Sequence, residues 1–153
     1  MNVLNIINLF GLPFALLLAL PHILYRRSHT INTDIFDNKA MLYIDRIGRF
    51  GSLVLMSFHT GILERGFTEP KALMQTFWLI FAAVLTAAYL LLWLLFQKRE
   101  RRWTANLIVA VSAVIIICGG ILQVNTLLMT AGIVYLAGEL YVVSRYFANR
   151  GSL

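Results

Sequence analysis

The sequence predicts an all-α, polytopic membrane protein: one bundle of five transmembrane helices over residues 1–153, with the N-terminus outside and the C-terminus cytoplasmic. Three observations carry this. Hydrophobic residues make up 59% of the chain and the mean hydropathy is +0.77, whereas soluble domains hold roughly 45–50% apolar residues. The apolar residues fall into long runs separated by short polar connections, and no polar stretch is long enough for a second domain. Finally, the basic residues alternate between connections in the way that orients membrane proteins.

The first run covers residues 3–25, VLNIINLFGLPFALLLALPHILY. It lacks the basic segment that precedes a signal sequence, and Arg26 and Arg27 follow it instead, which suits an uncleaved helix inserted N-terminus first. Pro13 is expected to kink this run or end one half of it. Asn2, Asn5 and Asn8 recur every three residues, as helix-capping amides or a polar stripe at the outer end. The polar connection 26–39 follows, where Asp37 or Asn38 is placed to cap the next helix.

The second span, 40–63, is apolar enough to cross a bilayer yet carries Asp45, Arg46, Arg49 and His59. Each such residue costs a few kcal/mol near a bilayer centre and therefore normally faces protein or water. Asp45, Arg49, Ser52, Met56 and His59 fall within an arc of about 80° on a helix, so they line one face. After the loop ERGFTEP comes the third span, 72–96, the most purely apolar, whose Trp78, Tyr89 and Trp93 read as aromatics at the interfaces or facing lipid. The cluster QKRERR at 97–102 reads as a topology determinant. Residues 103–147 are too long for one crossing of a core of about 30 Å at about 1.5 Å per residue. They divide at Gly119-Gly120 and Gln123-Val124-Asn125 into spans 104–122 and 126–147. With the N-terminus outside, eleven of the thirteen Lys and Arg residues lie in inner connections, in the C-terminal tail or in the inner half of the second span, as the positive-inside rule requires.

Glu139, in the middle of the last span, is the natural partner of the charged stripe. It lies about 12 Å of helix from the inner end, and Arg49 lies about 14 Å from its own inner end, so their depths match. Small residues near Glu139, Gly132 and Gly138 among them, permit close helix approach. Glu139 is therefore expected to meet Arg49 or Arg46, with Tyr135 as a nearby hydrogen-bond donor, giving a polar cluster of Asp45, Arg46, Arg49, Tyr135 and Glu139. His59 is set about 15 Å outward of Arg49, at the depth of Asn5, Asn8 and Gln123, and these four residues suggest an outer polar vestibule. His22 reads as hydrated or hydrogen-bonded near the inner end of the first span.

The chemistry implied is limited. The single Cys118 lies in an apolar run, and neither it nor the three His residues have metal-ligand spacing, so no metal and no cofactor are expected. The formal charge of +6 sits in membrane-proximal connections, which argues for lipid headgroups rather than nucleic acid. Nucleophile-plus-base spacing is not visible, and His59 is too far from the carboxylates for one reacting centre, so an enzyme is the least favoured class. Binding or translocation of a small solute or lipid is the default for intramembrane charges. Five spans without an inverted repeat are few for a complete transporter, so transport would call for a homo-oligomer or a membrane-protein partner. The alternative is a structural or regulatory protein whose charges only specify helix packing.

Two segments, IDRIGRFGSLVLM at 44–56 and GGILQVNTLLMTAGIVYLAGELYVVSRY at 119–146, resemble small multi-spanning bacterial membrane proteins to which no activity is assigned. That resemblance implies a multi-pass protein of the bacterial cell (inner) membrane. In that group the position of Glu139 is often histidine, which implies a polar partner there rather than a catalytic carboxylate.

Overall fold

The computed structural model describes residues 6–28, 36–59 and 71–150. It is all-helical, with α1 Leu12–Ser28, α2 Lys39–Ser57, α3 Lys71–Lys98, α4 Arg102–Leu122 and α5 Thr126–Arg150. Three of these, over Ala72–Lys98, Arg102–Leu122 and Thr126–Asn149, are long and apolar enough to cross a membrane. Asn5, the end of the second apolar run at 60–63 and the 64–70 loop lie outside the described residues.

Side-by-side packing closes the helices into a ring in the order α1, α2, α5, α4, α3 and back to α1, with α2–α5 the most extensive pair and α4–α5 next. Five cylinders around a ring leave an axial space. Toward one end it is filled by large, fully buried side chains, among them Trp78, Met56, Ile115 and Leu128. At the other end the C-terminal turns of α1, α3 and α5 meet the N-terminal turns of α2 and α4, and there the filling is incomplete.

The apolar run 3–25 is not one helix. Asn8 sets its start: its Oδ1 accepts from the N–H groups of Phe10 and Gly11, and its carbonyl accepts from Leu12 at 2.8 Å. Pro13 then occupies the first turn, where its missing N–H costs nothing. Gly11 is obligatory here, because a Cβ would lie 2.0 Å from the Met56 carbonyl oxygen. Ile7 instead pairs antiparallel with Phe58, through Asn8 N–H to Ser57 O at 2.9 Å and His59 N–H to Ile6 O at 2.7 Å. That extended pairing ends α2 at Ser57, so His59 lies beyond the helix and the polar face of α2 stops at Met56. Asn38 caps α2, its side chain accepting from Ala40 N–H at 3.0 Å. Pro21, which the first apolar run also contains, lies inside α1 and lacks the N–H that would bond the Leu17 carbonyl. The Tyr89 hydroxyl donates to the adjacent Leu18 carbonyl at 2.9 Å.

Trp78, Tyr89 and Trp93 correct the expectation that they face lipid: all three point into the bundle, with Trp78 and Tyr89 at 0% exposure. The reason is complementary volume. A Cβ on Gly119 would lie 2.9 Å from the Trp78 ring, so the glycine of α4 makes room for the indole of α3. Gly119 and Gly120 do not break the chain; α4 runs through both to Leu122. The tight turn is a Schellman motif: Asn125 N–H reaches Gly120 O at 2.7 Å and Val124 N–H reaches Ile121 O at 3.1 Å. Val124 occupies the left-handed position with φ 49°, normally glycine's, and Asn125 Oδ1 caps α5 by accepting from Leu128 N–H at 2.9 Å.

Backbone contact defines the α2–α5 pair. A Cβ on Gly48 would lie 2.5 Å from Tyr135 N, and one on Gly138 would lie 2.5 Å from Asp45 Cα. Gly51, on the same helix as Gly48, faces open space, and a Cβ there would meet nothing within 4 Å. Gly48→Ala is therefore expected to destabilise the protein by roughly 1–3 kcal/mol through overpacking against backbone that cannot rotate away. Gly51→Ala should be neutral or stabilising by up to about 1 kcal/mol through helix propensity. Thermal unfolding of the two variants in detergent, compared with the parent, checks the pair.

Candidate functional site

The site is built on the α2–α5 contact. Asp45 and Arg49 are one helical turn apart with the acid first, the favourable order for a pair on one helix. Arg49 Nη2 donates to Asp45 Oδ1 at 3.2 Å and Oδ2 at 3.1 Å. The same nitrogen donates to Glu139 Oε2 across the interface. Gly48 and Gly138 make this possible, because each lets the partner helix's backbone come within a Cβ's reach of the charged turn. The carboxyl side chains are 8% and 9% exposed and the guanidinium side chain 22%, so the ions neutralise one another largely away from solvent. One guanidinium therefore serves two carboxylates through a single nitrogen. Its Nη1 and Nε make no hydrogen bond among the described residues, and Nε is fully buried.

Of the two arginines expected to meet Glu139, Arg49 does so, and neither Tyr135 nor Arg46 bonds the carboxylates among the described residues. The Tyr135 hydroxyl pairs with Ser112 Oγ of α4 at 2.9 Å, and Ser112 also donates to the helical carbonyls behind it. Its ring, not its hydroxyl, faces the cluster, with the Arg49 guanidinium carbon 6.0 Å from the ring centre, within cation–π range. Arg46 bonds neither carboxylate among the described residues; it is exposed.

A cavity of about 170 Å³ occupies the incompletely filled end of the ring and reaches Asp45, Arg49 and Glu139. Every helix contributes to its wall. The apolar wall is half aromatic and half aliphatic, with Trp93, Phe96 and Phe147 beside residues such as Ala105 and Val143. Tyr25 and Tyr146 bring their hydroxyls within 3.2 Å of each other beside it. His22, expected to be hydrated or hydrogen-bonded, stands edge-on to Trp93 with ring centres 5.2 Å apart and lines this cavity. It also lines a second space of about 20 Å³ beyond Arg49, shared with Tyr89, Ser112 and Tyr135, which is room for one water molecule. His22, Trp93 and Gly48 are the positions that sequence reasoning missed. Gly48 carried a signal, since it lies between Asp45 and Arg49 with the spacing of a helix-contact glycine. His22 carried none, because its ring partner, Trp93, comes from α3.

The outer set is not a vestibule in the described residues. Asn8 and Gln123 are each 1% exposed and bond one another, Nδ2 to Oε1, at 3.0 Å; neither lines the two cavities. This bond fastens the start of α1 to the α4–α5 turn. His59 is exposed beside it, and Asn5 lies outside the described residues. Among the described residues no group of three or more His, Cys, Asp or Glu side chains converges as a metal site.

Comparison with protein-family models, with curated proteins and with solved structures finds no match.

Removing the shared cation tests the triad. Arg49→Met leaves two buried carboxylates without a counter-ion and is expected to cost roughly 3–5 kcal/mol. Adding Glu139→Gln in the same chain removes one uncompensated charge and should recover part of that loss. Unfolding midpoints in detergent for the single and double variants check both, and an Arg49→Met protein as stable as the parent would show that the triad does not hold the helices together.

Proposed function

We propose that this chain is a non-enzymatic, five-span protein of the bacterial inner membrane that binds a small solute or lipid in the cavity beside the Asp45–Arg49–Glu139 triad. The observation that carries this reading is the cavity itself: a space of about 170 Å³ walled by aromatic and aliphatic side chains and reaching the buried charges. Binding sites combine a mostly apolar wall with a few placed polar groups, and ionisable groups inside a membrane mark ligand paths by default.

Length and neighbours support five spans. α2 has 19 residues, about 28 Å of helix. α1 has 17 residues, about 26 Å, extended by the Ile6–Gly11 turn that precedes it. Both are members of the same ring as the three apolar helices. The open end of the cavity then faces the cytoplasm, because Arg26, Arg46, Lys98, Arg99, Arg101 and Arg102 share that end.

The second reading, a protein whose charges only specify packing, is favoured by the two glycines that put α2 and α5 in backbone contact and by the complete pairing of both carboxylates. The two readings separate at Ala105, which lies in the cavity wall away from the triad. Ala105→Trp fills the space. On the binding reading, native mass spectrometry of the parent released from detergent shows a bound small molecule, and the Ala105→Trp protein loses it while keeping its subunit number and unfolding midpoint. If the parent carries no adduct after extraction from native membranes, the packing reading takes its place.

A further inference from the structure

The charges at the mouth of the cavity differ from those at its floor. On the floor, Asp45 and Glu139 converge on Nη2 of Arg49 and are neutralised there. At the mouth, Arg26 of α1 and Arg46 of α2 both line the cavity, are exposed, and carry no ion pair among the described residues. Arg145, at the same end, is instead engaged, bonded to Asp37 at 3.2 Å and stacked over Tyr141. The cavity thus presents three guanidinia against two carboxylates, and the unspent donors that are not fully buried are Arg26, Arg46 and Nη1 of Arg49. A cationic ligand would have to pass the two mouth arginines to reach carboxylates that already share a counter-ion. An anion meets free donors at once, and its apolar part meets Trp93, Phe96 and Phe147.

Resting on the binding reading above, we infer that the cavity takes an anionic amphiphile, with its acidic group held by Arg26 and Arg46 and its apolar portion against the aromatic wall. Phosphate and carboxylate are the groups that guanidinium forks match best. The cavity volume admits only a short length of chain, so a longer tail would leave between helices into the bilayer. The same chemistry is offered by an anionic phospholipid and by a free alkyl phosphate.

The test uses the full chain in a neutral detergent, with native mass spectrometry reading occupancy. The probes are phosphatidylglycerol, phosphatidylcholine of the same acyl chains, and octyl phosphate. Phosphatidylglycerol is expected to bind about tenfold or more tightly than phosphatidylcholine, given roughly 1 kcal/mol per basic residue near an anionic headgroup. Arg26→Gln/Arg46→Gln should abolish that preference. Arg27→Gln/Arg99→Gln, which removes the same charge from exposed positions outside the cavity wall, should retain it. Selective binding of phosphatidylglycerol alone identifies a bilayer lipid, and selective binding of octyl phosphate identifies a free amphiphile; either supports the inference. Equal binding of the two phospholipids, or equal loss in both arginine pairs, overturns it. If that equal binding still disappears in Ala105→Trp, the cavity remains a binding site and only the anionic class is lost; if no probe binds, both readings fall.

Discussion

One guanidinium nitrogen holding two carboxylates from different helices is the interaction on which the rest of this bundle depends. It fixes the register of α2 against α5, because Arg49 Nη2 reaches Asp45 and Glu139 together only at one relative height. It also depends on glycine. Without Gly48 and Gly138 the two backbones would be held apart by side-chain volume, and ions in a low-dielectric interior tolerate little separation. Packing and charge are here one constraint: small residues bring the helices close, and the ions decide how they slide.

That constraint shapes the cavity. With α2 and α5 in contact at Asp45, the remaining helices complete a ring whose centre must be filled. Bulky side chains fill it on the Trp78 and Met56 side. On the other side a space remains beside small Ala105 and the exposed Arg26 and Arg46, where the chain's basic residues gather. The far end is closed differently, by the Asn8–Gln123 bond and the short antiparallel pairing of Ile7 with Phe58. The two ends of the bundle therefore differ in kind, one tied by amides and backbone, the other open and charged.

Much of this is legible from spacing. The 4-3 rhythm of Asp45, Arg49, Ser52 and Met56 puts the charges on one helix face, and equal depth pairs Arg49 with Glu139. The turn at Gln123-Val124-Asn125 is readable because amides and an interrupted apolar run mark chain reversal. Where legibility ends, the reason is local geometry that composition does not encode. The run 3–25 has helical composition throughout, but Asn8 holds residues 9–11 in a turn by taking two backbone donors. Trp78 and Tyr89 read as facing lipid because an aromatic on an apolar helix has no preferred side until a partner such as Gly119 or the Leu18 carbonyl is present.

By itself the sequence determined the helical class and the position of each charge along its helix, and of the five spans it predicts three are helices long and apolar enough to cross a membrane. These follow from apolar length and from a period of about 3.6 residues, which are properties of one segment at a time. Only the tertiary structure decided the cyclic order of the helices, the inward turn of His22 and Trp93, and which arginines are spent. Those depend on which surfaces meet, and contacts between α1 and α3 or α2 and α5 join residues far apart in the chain. Arg46 and Arg49 look alike as letters three positions apart. The ring gives one of them two carboxylates and leaves the other at the mouth of a cavity.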